Sequence, residues 1–205
     1  TYGSCSVNTN TVTLTVNTCP HEKYANDGKC QQCGEPCSKD VLFIRNGIPY
    51  TFEGDNPEVG FILFSGGTAY FVRDTDATLK AGNGDTADKR DVTLDLQGHR
   101  VKALDLQNFP YNSVTIKNGT IDGIDTEDPA VLILDSVTTN QKVFSDEFTL
   151  TVKGDCVFKS QVNFLGETQL QGGTFQGGIS VDTGAPALAL LAEGYAFADA
   201  DSNEI

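Results

Sequence analysis

Short runs of alternating residues, each stopped by Gly, Asn or Asp, constrain this chain more than any other feature. VLFIRNG from Val41, FILFSGG from Phe61, VTLDLQG from Val92 and VTIKNGTIDG from Val114 are followed by VLILDS from Val131 and FTLTVKG from Phe148. VNFLG from Val162, TQLQGGTFQGG from Thr168 and GISVDTG from Gly178 continue the series. The starts at Val114, Val131 and Phe148 are spaced by 17 residues. In VTLDLQG, Val92, Leu94 and Leu96 share one face, and Thr93, Asp95 and Gln97 share the other. One such unit cannot cover its own apolar row, whereas a stack of them aligns the rows into a continuous core. The expected fold is all-β: a right-handed parallel β-helix, or solenoid. The rival, a β-sandwich, needs longer hairpin partners than strands interrupted this quickly provide. Gly98, Gly119 and Gly123 are expected where the chain turns between faces, and Cys156, within DCVFKS, is expected to fill a core rung.

Composition agrees with this. Gly is frequent at 21 of 205 residues, and Met and Trp are absent. Asp and Glu total 28 against 14 Lys and Arg, a formal net charge of -14. A chain this acidic lacks the basic patch that displaces counterions from nucleic acid or anionic lipid, so neither is an expected partner. No apolar run approaches the roughly 20 residues of a membrane helix. An acidic surface suits a soluble protein outside a cell, so the expected setting is extracellular, as a secreted or wall-attached monomeric piece of a longer multidomain chain, with any signal peptide or anchor expected outside this sequence.

Five of the six cysteines fall within residues 1–40, which are expected to form a small Cys-rich unit ahead of a β-helix domain at 41–205. The alternating stretch Asn10 to Val16 reads as a strand. CPHEKYANDGKCQQCGEPC, residues 19–37, has too little apolar content for a core of its own. Two chemistries fit. Cys19 and His21, with Cys30 and Cys33, supply two short ligand pairs for a tetrahedral Zn2+. Disulfides are the other, for example Cys5 to Cys19 or Cys37, with Cys156 then returning from the solenoid. Either role is structural. A redox Cys-x-x-Cys lacks the strand-then-helix setting that lowers a thiol pKa.

The stretch Asp74 to Asp91 reads as a polar loop. Its carboxylates, including Asp74, Asp76, Asp85, Asp88 and Asp91, and those at Asp122, Asp125, Glu127 and Asp128 invite Ca2+, but without EF-hand spacing. Zn2+ is therefore the expected metal and Ca2+ the lesser candidate. Near the end, Ala187 to Glu193 contains good helix formers with Gly194 as C-cap. A short helix capping the open end of the solenoid is expected there, followed by a strand at Tyr195 to Phe197.

VTLDLQGHRV resembles the "LDLNGH" strand of right-handed β-helix proteins of the pectate-lyase-like type, and VTIKNGTIDG is similar to its usual successor. CPHEKYANDGKCQQCG and LLAEGYAFADAD resemble modules of large secreted or wall-attached proteins of gut Gram-positive bacteria. Some members of that group bind immunoglobulin variable domains in a superantigen-like manner. The resemblance implies binding of a host protein, and no residue role is carried over with it. The fold itself hosts lyases, hydrolases and adhesins alike.

An enzyme is not expected. Asp95, Asp105, Asp122, Asp135 and Arg100 are the available acids and base, but no recurring motif gathers them into a paired-carboxylate site. His99 reads as a turn histidine bonded to a neighbouring coil. Phe109 and Tyr111, flanking Pro110, are the expected exposed contact group for a protein partner. A carbohydrate- or mucin-binding adhesin and a structural stalk are the non-catalytic alternatives; a polysaccharide lyase or glycoside hydrolase is the catalytic one.

Overall fold

The computed structural model describes residues 19, 21–51, 66–80, 90–105, 111–125, 131–141, 143–145, 149–164, 167–181 and 190–198. The expected strand at Asn10 to Val16, Cys5, the run from Phe61, Asp85, Asp88, Glu127, Asp128 and Phe109-Pro110 lie outside these residues.

The described residues form a parallel β-solenoid. Its elements are β1 (Val41–Arg45), β2 (Ile48–Thr51), β3 (Gly67–Phe71), β4 (Thr75–Lys80), β5 (Arg90–Asp95), β6 (Arg100–Asp105) and β7 (Tyr111–Asp125). Then come β8 (Val131–Thr139), β9 (Val143–Ser145), β10 (Thr149–Phe158), β11 (Val162–Phe164), β12 (Thr168–Phe175) and β13 (Ile179–Val181). Strands β3, β5, β7, β8, β10 and β12 stack in parallel in chain order. That pairing excludes the sandwich, whose neighbours are antiparallel. A second face is built by β4, β6 and the later halves of the long strands. A third is the sheet β9-β11-β13.

Register explains the core. Val92, Val114, Leu132 and Leu150 stand opposite one another along the stack, as do Leu94, Ile116, Leu134, Val152 and Leu170. All are buried. Val101, Ile121, Thr139 and Phe158 continue the core on the second face. Phe158 stacks on Phe175 at 4.8 Å between ring centroids. The in-register step from Val114 to Leu132 to Leu150 to Thr168 is 18 residues. The 17-residue spacing read from strand starts is corrected here, because paired positions, not the first apolar residue of each run, set the coil length. Cys156 is buried in this core, as expected, with its Sγ accepting from the Val137 N–H at 3.4 Å.

The corner between the first two faces has a fixed recipe. Lys117, Asp135 and Lys153 stand in register, and each is followed by a residue with positive φ: Asn118 (58°), Ser136 (57°) and Gly154 (65°). The left-handed conformation turns the chain sharply there. Asn118 donates from Nδ2 to Asp95 Oδ1 at 3.1 Å. Gly98 also turns with positive φ; Gly119 directly follows the Asn118 corner without a positive φ of its own, and Gly123 lies further along β7. Gly119 is glycine because a Cβ would lie 2.4 Å from that of Leu96. On the outer side, Asp95, Lys117, Asp135 and Lys153 form one row of alternating charge. Lys117 meets Asp95, and Lys153 meets Asp135, each at 3.3 Å.

Two expectations are corrected. Residues 75–80, within the expected Asp74–Asp91 loop, form β4. Thr75 and Ala77 alternate inward and are buried, which gives the strand a face to pack. The C-terminal helix cap is not formed over its described part. Leu191 makes a parallel bridge to Leu170, and the Ala192 N–H donates to the Leu170 carbonyl at 3.1 Å. Pairing with β12 satisfies edge groups that a helix would leave open. Gly194, φ 86°, lies in a turn closed by Tyr195 N–H to Ala192 O rather than at a helix end, and Tyr195 to Phe197 is not a strand. Residues 187–189 lie outside the described residues.

Two glycine substitutions separate close coil approach from backbone strain. A Cβ on Gly172 (φ 140°) would meet the Gly154 carbonyl oxygen at 2.6 Å, whereas one on Gly178 (φ 83°) meets nothing within 4 Å. Gly178→Ala is expected to lose roughly 1–2 kcal/mol, from strain alone. Gly172→Ala is expected to lose about 2 kcal/mol more, because coils must separate. Urea unfolding of the two variants checks the difference.

Candidate metal centre

Residues 21–40 fold by local turns and then lean on the start of the solenoid. Ala25 N–H donates to Lys29 O at 2.7 Å and Gly28 N–H to Ala25 O at 3.0 Å, closing a turn at Asn26-Asp27-Gly28. Tyr24 consequently bridges Cys30 across this hairpin. A second turn starts at Cys30, where Gly34 N–H donates to Cys30 O at 2.8 Å; Gly34 has φ 77°. The hairpin sets Cys19 and His21, which precede Tyr24, beside the Cys30–Cys33 turn.

All four sequence-predicted ligands meet there. The ligand atoms of Cys19, His21, Cys30 and Cys33 lie within 4.8 Å of one another. Cys19 Sγ is 3.4 Å from Cys30 Sγ, and Cys33 Sγ is 3.8 Å from His21 Nδ1. Zn–S bonds of about 2.3 Å and a Zn–N bond of about 2.0 Å give tetrahedral edges of roughly 3.5–3.8 Å. These two separations match such edges, and the four atoms could hold an ion.

The thiols are electrostatically unequal. Backbone N–H groups of Cys33 and Gln32 point at the Cys30 sulfur and, against desolvation, bring its pKa down to about 6. At Cys19 a hydrogen bond from the His21 backbone lowers the pKa, but desolvation and the neighbouring Cys30 and Cys33 outweigh it and push it up to about 11. One thiolate is thus held ready by the backbone, in the manner of a metal-binding turn. Cys30 is buried while His21 and Cys33 are exposed. Cys19, Cys30, Cys33, Cys37 and Cys156 are free thiols. Burial raises the Cys37 thiol.

The cluster is coupled to the solenoid. Tyr24 and Cys30 pack with Val41 and Ile44 of β1. Tyr24 N–H donates to Gly47 O at 2.9 Å. Gln97, on the β5–β6 turn, donates from Nε2 to both Asn26 O and Phe71 O at 2.8 Å. Arg73 donates to Lys39 O. Nothing in the local sequence around Gln97 marks it as this bridge, since its partners are 71 and 26 residues away.

The expected acid and base candidates whose side chains are described, Asp95, Asp122, Asp135 and Arg100, are engaged elsewhere, and the Asp105 side chain lies outside the described ones. Arg100 joins two coils, binding Asp76 at 2.7 Å and also Asp122. Asp122 accepts from Asn140 Nδ2 at 2.6 Å, and Asn140 O accepts from Ser160 Oγ at 2.9 Å. Asp74 accepts from the Arg100 N–H at 3.0 Å and contacts His99 Nδ1 at 3.2 Å, so His99 does bond to a neighbouring coil. Arg100 holds the Asp122 carboxyl below its ordinary value, and its own guanidinium pKa is raised by Asp122 first and Asp76 second. The Arg100 N–H, then His99, lower Asp74. Asp95 and Asp135 are paired with lysines. Among the described residues, Asp74 and Asp76 are committed to these contacts, and the Cys/His group is the cluster that could hold a metal ion. Tyr111 begins β7, with only its backbone described, so the Phe109–Tyr111 contact group lies outside the described side chains.

No protein-family model, curated protein or solved structure matches the chain.

Because the carboxyl pKa values of Asp122 and Asp74 are depressed, their stabilising contribution is present above the ordinary value of 3.8 and is lost as pH falls through the lower folded values. Arg100→Ala is expected to lower stability at pH 7, because it leaves the nearly buried Asp122 carboxylate without its guanidinium partner. The gap between variant and parent should begin to narrow as pH falls below about 4 and close only as pH passes the depressed folded values. Unfolding curves at pH 7 and pH 3 test it.

Proposed function

We propose that this chain is a non-catalytic extracellular binding module whose N-terminal end is fastened by a structural Zn2+ on Cys19, His21, Cys30 and Cys33. The observation that carries the first half is the commitment of Asp74, Asp95, Asp122, Asp135 and Arg100, among the described residues, to contacts between coils. A general acid needs a carboxyl pKa raised towards neutrality. Asp122 and Asp74 move the other way, under Arg100 and His99. Arg100, held by two carboxylates, is no better placed as a base. What the solenoid offers instead is a long, regular face of Thr68, Thr93, Thr115, Ile133 and Thr151 beside a self-neutralised charge row. Such a face suits a large partner surface rather than a small substrate.

The partner class comes from the resemblance to secreted modules of gut Gram-positive bacteria: a host protein, with immunoglobulin variable domains foremost. Immobilised chain exposed to serum and mucosal secretions is expected to retain immunoglobulin of several isotypes, with retention surviving removal of Fc. Retention of mucin or free glycans instead assigns a carbohydrate-reading adhesin. No specific retention at micromolar chain leaves a stalk.

Metal analysis tests the second half. The chain purified with zinc is expected to hold one equivalent, by the count of four ligands in one cluster. Chelation should lower the melting temperature, because metal binding to the folded state alone adds to stability. Cys30→Ser should abolish zinc retention. A chain that binds no zinc, with an unchanged melt after chelation, refutes the metal reading.

A further inference from the structure

We propose that the Cys/His centre is a two-state device, in which a hydroperoxide converts the metal-bound form into a Cys19–Cys30 disulfide and expels the ion. The inference rests on the metal reading above and adds how that site is regulated. Three observations carry it. The Cys19 and Cys30 sulfurs are 3.4 Å apart, so closure to about 2.0 Å needs only a small movement. The two states exclude each other, because a disulfide leaves His21 and Cys33 as the remaining ligands, too few for a tetrahedral structural site. The centre is also open to small molecules. His21 and Cys33 are exposed, and an open cleft of about 250 Å³, lined by Glu22, Lys23, Gln31 and Gln32, has the largely buried Cys30 in its wall.

The chemistry balances. The Cys30 thiolate sulfur attacks one peroxide oxygen and the O–O bond breaks. For hydrogen peroxide, the departing hydroxide takes up a proton as water and Cys30 becomes a sulfenic acid. The Cys19 thiolate then attacks that sulfur, forms the S–S bond and expels a second hydroxide, which is protonated to water. Two thiolates lose two electrons, the peroxide gains them, and the zinc ion leaves with its charge unchanged. A dithiol reductant returns both thiols. Cys37 is the nearby competitor: its sulfur would lie 3.2 Å from a Cβ on Gly28, on the side of the hairpin that packs against Val72. Cys156 is remote, inside the solenoid core.

The test treats the zinc-loaded full chain with hydrogen peroxide, follows zinc with a chromophoric chelator, and maps disulfides by mass spectrometry after alkylation. Complete loss of zinc, in step with a Cys19–Cys30 disulfide and reversed by dithiothreitol plus zinc, is expected. Cys37→Ser and Cys156→Ser are expected to release zinc as the parent does. A loaded chain that keeps its metal until sulfinic or sulfonic acids appear overturns the switch. So does a disulfide joining Cys30 to Cys33 or involving Cys37, or a Cys37→Ser chain that no longer releases zinc. A chain that never loads zinc fails before oxidant is added, and overturns the metal reading and the switch together.

Discussion

Each coil is stable only because its apolar row lies in register with the rows above and below. Val114 has Val92 on one side and Leu132 on the other; Ile116 has Leu94 and Leu134. No coil owns a complete core. Backbone hydrogen bonds between parallel strands hold the spacing, and the rows then exclude water along the whole stack. A shift of one residue would turn every one of these side chains outward. The rest of the architecture serves that register, from the left-handed corners to the salt links on the outer face.

A stack of this kind has two vulnerable ends, and the two are closed by different means. At the C-terminal end the backbone of Leu191 and Ala192 extends the pairing of β12. At the other end β1 and β2 turn antiparallel through Asn46-Gly47, both with positive φ, a hairpin signal of the kind that matches strand twist. The Cys-rich hairpin then packs on β1. That hairpin has little apolar content, and its hold on the solenoid among the described residues runs through Tyr24 and Cys30, the Gln97 and Arg73 side chains and a few backbone bonds. A metal ion at Cys19, His21, Cys30 and Cys33 would supply the internal rigidity that its own side chains lack.

The solenoid was legible in the sequence because alternation has a period of two and each coil repeats it. The ligand set was legible because Cys-x-His and Cys-x-x-Cys are local patterns, and a single turn at Asp27-Gly28 is enough to bring them together. What escaped was non-local. β4 was hidden by the acidic residues around Thr75 and Ala77, whose inward alternation matters only when β6 lies beside it. The terminal helix formers from Ala187 to Glu193 were overruled over their described part by an open strand edge, a tertiary demand that propensity does not register. No local motif links Arg100 to its partners, because Asp76 and Asp122 are each more than twenty residues away and become neighbours only through coil stacking.

The alternating row Asp95, Lys117, Asp135, Lys153 also bears on how such a chain can change length. Excising one 18-residue coil, for example the one carrying Lys117, would set Asp95 directly against Asp135 while leaving every apolar row intact. Removing two consecutive coils would restore opposite charges at the seam. The core therefore tolerates any whole number of coils, whereas the outer row distinguishes odd from even. Growth or shrinkage of this stack by pairs keeps both in agreement, and the surface thus carries a parity rule that the interior does not.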